Sequence, residues 1–116
     1  MKELLNLFDP NGDELCGIVK RDGTVVSLPN VHPEPRDNFA MDSSPLWDQE
    51  VVATWHTHPR SSPNLTVPDF RAFRQFPHLR HYIVGASEVW CYRMQGDILV
   101  LDDNYFSSRL PARTSP

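Results

Sequence analysis

Glu50-Val51-Val52-Ala53-Thr54-Trp55 is a β-type run that passes without a break into His56-Thr57-His58 and stops at Pro59. Pro59 ends it because proline removes a backbone donor, and the apolar character of the run predicts a buried strand. In an extended strand the side chains at i and i+2 leave the same face, so His56 and His58 project together while Thr57 points the other way. The pattern therefore predicts a buried strand that carries two imidazoles at its C-terminal mouth. Asp69 arrives from the next element. Two neutral imidazoles and one carboxylate suit a single zinc ion, and three protein ligands leave a fourth tetrahedral position for water, as in a catalytic rather than a structural site. If the three converge, the chain is a hydrolase.

Around this strand the pattern predicts a mixed α/β or α+β domain. A short helix is expected over Lys2 to Phe8, stopped by the turn residues Asp9-Pro10-Asn11-Gly12. Leu15 to Val19 and Thr24 to Leu28 are β-type runs joined across Lys20-Arg21-Asp22-Gly23, and Asp-Gly is a strong hairpin signal. Between Pro29 and Pro45 prolines recur among polar residues, which predicts a long irregular surface loop with a short strand at Phe39-Ala40-Met41. Thr66-Val67-Pro68-Asp69 reads as a helix start, with Thr66 as N-cap and Asp69 at N3, and the helix runs to about Phe76. His81 to Gly85, Val89 to Met94 and Ile98 to Leu101 are further strands, and the tail from Pro111 is expected to be disordered. No internal repeat is visible.

With 116 residues, 40% of them hydrophobic, the chain suits one domain, expected over residues 1–110. A net charge of −4 and the absence of any Lys/Arg run argue against nucleic acid or an anionic membrane as partner. Lys2-Glu3 follows Met1, and no stretch approaches the roughly 18 apolar residues of a spanning helix, so a cytoplasmic protein without a secretory signal is expected. Cys16 and Cys91 lie far apart in apolar strand-like runs and read as reduced, buried thiols.

Each feature has a plainer reading beside the chemical one. Thr66-x-x-Asp69 is also an ordinary capping box, and a histidine pair before a proline is also a polar turn. The combination of His56, His58 and Asp69, with a strand before and a helix after, favours the metal. His32, His78 and His81 lack such partners and are read as structural. A hydrolase also needs a base for the proton of water, and Glu14, just ahead of the first apolar strand, is the candidate; alternatively it is a solvated charge at a strand end. Cys16 is a conceivable fourth ligand of a structural zinc site, or, less plausibly, a nucleophile.

Glu14-Leu15-Cys16-Gly17-Ile18, His56-Thr57-His58-Pro59 and Thr66-Val67-Pro68-Asp69 together resemble the JAMM (MPN-plus) metalloprotease family, with the spacing from Pro59 through Leu65 kept and Thr66 standing where the family has Ser. Asn30 and Phe39-Ala40-Met41-Asp42 share in the resemblance, which covers most of the chain. It implies a JAMM/MPN, cytidine deaminase-like fold with a mixed central sheet flanked by helices. It also implies that His56, His58 and Asp69 ligate zinc, that Glu14 is the general base, and that the residue at 66 stabilises the oxyanion. Thr66 keeps the hydroxyl but adds a methyl and a stiffer χ1, so reduced rather than abolished activity is expected.

Within the family the chain is similar to the N-terminal domain of lambda-type phage tail-assembly proteins, in which an NlpC/P60 peptidase domain usually follows. The implied activity is hydrolysis of a peptide or isopeptide bond in a protein substrate, either a phage tail protein or the C-terminus of a ubiquitin-like or sulfur-carrier protein. A non-catalytic MPN-type scaffold is the rival from another class.

Overall fold

Asp22-Gly23 does close a hairpin. Strand β1 (Cys16–Lys20) pairs antiparallel with β2 (Val25–Leu28), and Gly23 takes the turn at φ 93°, a conformation that an L side chain would resist. The computed structural model describes residues 2–60 and 62–106, so the expected tail from Pro111 lies outside the described residues. Beyond the hairpin come β3 (Val51–Thr57), α2 (Val67–Arg74), β4 (Arg80–Val84), β5 (Glu88–Gln95) and β6 (Ile98–Phe106), with α1 (Lys2–Leu5) ahead of them all. The strands form a six-stranded mixed sheet in the order β2-β1-β3-β4-β5-β6. Only β3 and β4 run parallel, joined by a crossover through α2, and the class is mixed α+β.

The crossover sets the two faces. Thr54 and His56 of β3 lie beside His81 and Ile83 of β4, on the same face as Cys16 and Ile18 of β1, and this face packs against α2. On the opposite face Trp55, Val84 and Val89 close over Leu4 of α1. Trp55 is fully buried, and its indole crosses β1 to donate from Nε1 to the Val26 carbonyl at 3.3 Å. It can do so only because residue 17 is glycine: a Cβ there would lie 2.0 Å from the Val26 oxygen and 2.7 Å from the indole nitrogen.

Several elements depart from expectation for identifiable reasons. Helix α1 stops at Leu5 rather than Phe8, because Leu7 and Phe8 bond back three residues to Leu4 and Leu5 and tighten the final turn. The same tightening at Gln75 and Phe76 ends α2 at Arg74 rather than Phe76. No strand forms at Phe39–Met41: the Ala40 amide donates to Asn30 Oδ1 and its carbonyl accepts from Val31, so no ladder with a neighbouring strand develops. A 3₁₀ turn at Ser44–Trp47, unexpected from the pattern, plugs Leu46 into a cluster with Ile18, Val51, Phe76 and Leu79. Strand β6 runs past Leu101 through polar residues because β5 offers it an antiparallel partner from Gln95↔Ile98 to Glu88↔Phe106, with one register shift between Tyr92 and Cys91. Among the described residues no helix is long and apolar enough to cross a membrane.

Candidate metal centre

His56 is the penultimate residue of β3, and His58 continues the strand's line by donating its amide to the Val84 carbonyl at 2.9 Å. The i, i+2 spacing therefore turns both rings to the α2 face, where their Nε2 atoms stand 3.1 Å apart. Asp69 comes to meet them from the first turn of α2. Its Oδ1 lies 3.0 Å from His56 Nε2 and its Oδ2 3.3 Å from His58 Nε2, with all three residues buried. The helix places this carboxylate through a full capping box: the Asp69 amide donates to Thr66 Oγ1, and the Thr66 amide donates to Asp69 Oδ2. The cap and the convergence coexist in one turn.

Chemistry makes this donor set a fit for a cation. A carbonyl can only accept, so the 2.9 Å contact of His58 Nδ1 with the Ser62 carbonyl puts a proton on Nδ1 and, in the neutral ring, leaves Nε2 as a bare lone pair aimed at Asp69 and His56. Ligands about 2.0–2.1 Å from a tetrahedral zinc ion lie about 3.3 Å from one another, and the three contacts here span 3.0 to 3.3 Å. Burial opposes ionisation of Asp69, yet the two imidazoles beside it hold its carboxyl far below the usual range. Burial lowers His56; for His58 burial acts the same way but is outweighed by Asp69, the Ser62 carbonyl and Glu14, which raise it.

Glu14 completes the constellation. It is not a solvated strand-end charge but only 8% exposed, and it offers a carboxylate oxygen within 4.8 Å of the His56 and His58 ligand atoms. The buried Glu14, His56 and His58 group could hold a metal ion, and Asp69 touches both imidazoles from the helix side. Burial pushes Glu14 up to about 7, with His58 pulling the other way. Its backbone is pinned on three sides. The Glu14 amide donates to the Pro35 carbonyl at 2.8 Å, its carbonyl accepts from Asn30 Nδ2 at 2.7 Å, and the next amide, Leu15, donates to Thr57 Oγ1 at 2.9 Å. Thr57, pointing away from the site, thus fixes the carboxylate relative to the histidines on either side of it.

Cys16 takes no part in this group. Its thiol points to the Leu28 and Pro29 carbonyls at 3.7 and 3.8 Å, and burial, helped by Glu14, pushes it up to about 11, which disfavours both thiolate ligation and nucleophilic attack. His81 is buried between the Thr54 hydroxyl and the Phe76 carbonyl, and the His32 ring accepts from the Glu34 amide. His78 lies near Trp47, away from the site.

No family model matches the chain, and no curated protein matches it either. The site therefore rests on its own geometry.

Three residues support the site in ways that strand or helix periodicity does not reveal. Asn30, a lone amide in a proline-rich loop, donates to the Glu14 and Asn38 carbonyls and accepts from the His32 and Ala40 amides, so it folds the loop against Glu14. Arg60, just beyond the histidines, reaches the carbonyls of Pro10, Gly12 and Arg36 and the carboxylate of Asp37, tying the turn after His58 to both loops that flank Glu14. A polar residue in a loop gives no periodicity to read. Phe39 is a third: its ring stacks on His56 at 4.1 Å between centroids and covers the outer face of that imidazole.

Proposed function

We propose that the chain is a zinc-dependent metallopeptidase of the JAMM/MPN-plus type that hydrolyses a peptide or isopeptide bond in a protein substrate, with phage tail assembly as its setting. One observation carries the reading: His56, His58 and Asp69 converge within 3.0 to 3.3 Å with a buried Glu14 beside them, a donor set with the softness and spacing for zinc plus a carboxylate available for proton transfer. When bound, zinc would supply Lewis acidity, polarising the scissile carbonyl and acidifying a water.

In this reading His56, His58 and Asp69 hold the ion, and their own anchors keep them aimed. The Ser62 carbonyl fixes the His58 tautomer, Phe39 covers His56, and the capping box orients Asp69. Glu14 accepts the proton of the attacking water and returns it to the leaving amine, which its held backbone allows without rearrangement. Thr66 Oγ1 accepts from the Asp69 amide, so its hydroxyl proton is left for the developing oxyanion at the rim of the same cleft. Cap and oxyanion donor are compatible because they use different sides of the hydroxyl.

The test begins with zinc stoichiometry of untagged protein by elemental analysis, wild type beside His58→Ala. About one zinc per chain, lost in the variant, is expected; a folded protein that takes up none even after zinc is added back would instead favour the scaffold. With a substrate from a panel of tail-protein and ubiquitin-like fusions, Glu14→Gln should keep zinc and lose hydrolysis, whereas His58→Ala loses both. Equal residual activity in the two variants would sink the mechanism.

A further inference from the structure

The metal centre occupies one end of a larger space. A cleft of about 540 Å³ starts at Glu14, His58, Thr66 and Asp69 and continues between α2 and the 37–46 segment. That volume is in the range of sites that enclose a drug-sized ligand, about 300–1,000 Å³, and far exceeds what a pair of glycines would fill. Beyond the metal end Phe39, Met41 and Leu46 line one side and Phe73 and Phe76 the other, with Asn38, Ser43 and Gln75 among them. The polar groups of the floor are paired with each other. The Phe76 carbonyl can only accept, so His81 Nε2 donates to it, and His81 Nδ1 accepts from the Thr54 hydroxyl at 2.7 Å. Glu14, Asp37 and Asp69 line the cleft, Asp37 paired with Arg60, and among the described lining residues there is no Lys or Arg.

We infer that this cleft selects a substrate with a bulky apolar side chain, aromatic or long aliphatic, next to the scissile bond, and that it disfavours both glycine and acidic residues there. The inference rests on the metallopeptidase reading and deepens it by naming the substrate class. The physical reasons are direct. A bulky side chain removes its apolar surface from water against five apolar walls, a gain unavailable to glycine. An acidic side chain would give up its hydration against the apolar walls, with no Lys or Arg among the described lining residues to replace it.

The experiment needs no physiological substrate. Zinc-loaded, untagged protein is titrated calorimetrically with the hydroxamates of N-acetylglycine, N-acetylphenylalanine, N-acetylleucine and N-acetylaspartate, which share one chelating group and differ in side chain. The phenylalanine and leucine compounds should bind at least tenfold more tightly than the glycine compound, and the aspartate compound no more tightly than glycine. Ala72 lines the cleft from α2, and Ala72→Leu, which fills it, should bring the phenylalanine compound down to the level of glycine. If that variant fails to fold, Met41→Phe fills the space from the opposite wall and is expected to do the same. Equal affinities for glycine and phenylalanine, an aspartate compound as tight as phenylalanine, or a preference that survives the filling variant would overturn the inference while leaving the metal centre standing. A wild-type protein that takes up no zinc overturns the metallopeptidase reading, and this inference with it.

Discussion

Gly17→Ala gives the sharpest test of how the site-bearing strand is held. The new Cβ would sit 2.0 Å from the Val26 carbonyl oxygen and 2.7 and 2.8 Å from Nε1 and Cε2 of Trp55. The first of these is backbone, held by the β1–β2 register that pairs Gly17 with Ser27 and Ile18 with Val26. The second belongs to a fully buried indole packed against Leu4, Val84 and Val89, with no free space to turn into. Overpacking at such a position costs about 3 kcal/mol, and losing the indole bond to Val26 adds about 1 kcal/mol. The reduced freedom of alanine in the unfolded chain returns up to about 1 kcal/mol. The net loss is about 3 kcal/mol, or about 12–24 °C in Tm at about 4–8 °C per kcal/mol for a domain of this size. Urea denaturation and calorimetry on metal-free protein measure it without a contribution from zinc binding. Gly85→Ala is the comparison, because its Cβ would approach Pro63 Cδ at 2.9 Å, a milder clash than 2.0 Å against a strand carbonyl. It should cost less than Gly17→Ala, about 1–2 kcal/mol. A loss below 1 kcal/mol at Gly17, or an equal loss at Gly85, would refute the argument that the indole crossing requires glycine.

Other outcomes follow from the same structure. Thr66→Ala removes the cap of α2 and should lower stability by about 1 kcal/mol in thermal melts, whereas Thr66→Ser should restore it; identical melting of all three proteins would contradict the capping box. Burial depresses His81 from 6.5 to about 4, so the folded state requires its neutral ring. Its contribution, about 3 kcal/mol at about 1.4 kcal/mol per tenfold change in proton affinity, is fully present above pH 6.5 and lost as pH falls towards 4. Urea melts at stepped pH should therefore show a steeper acid loss in wild type than in His81→Gln, and parallel pH profiles would remove His81 as the cause. Zinc at a hundredfold excess over its dissociation constant should stabilise the fold by about 2.7 kcal/mol, and a chelator should reverse the gain. A Tm indifferent to both would mean that the converging donors do not bind the ion.

Much of the architecture could be read from local patterns. The Asp22-Gly23 hairpin and the helix beginning at Thr66 follow from residues adjacent in the chain, as does the strand into His56, and the structure has all three. The i, i+2 projection of His56 and His58 onto one face likewise needs no tertiary information. Glu14 was legible as a candidate only beside the histidine pair, and periodicity alone could not tell a buried carboxylate from a solvated one. The 3₁₀ turn at Ser44–Trp47 and the strand character of the residues after Leu101 were not legible, since the first depends on a slot for Leu46 and the second on the reach of β5.

The amino-acid sequence by itself determined which side chains could share a metal, because strand periodicity and the Thr66-x-x-Asp69 cap are short-range geometry carried by neighbouring residues. Only the tertiary structure decided that they meet. The parallel β3-α2-β4 crossover brings the first turn of α2 over the mouth of β3, and Asn30 and Arg60 draw the loops around Glu14 against that mouth. The same packing of α2 across from residues 37–46 opens the cleft beside the converging donors. These contacts join residues as much as 50 positions apart, as Arg60 and Pro10 are, and their stability comes from burial and hydrogen bonds between segments, which no local pattern records.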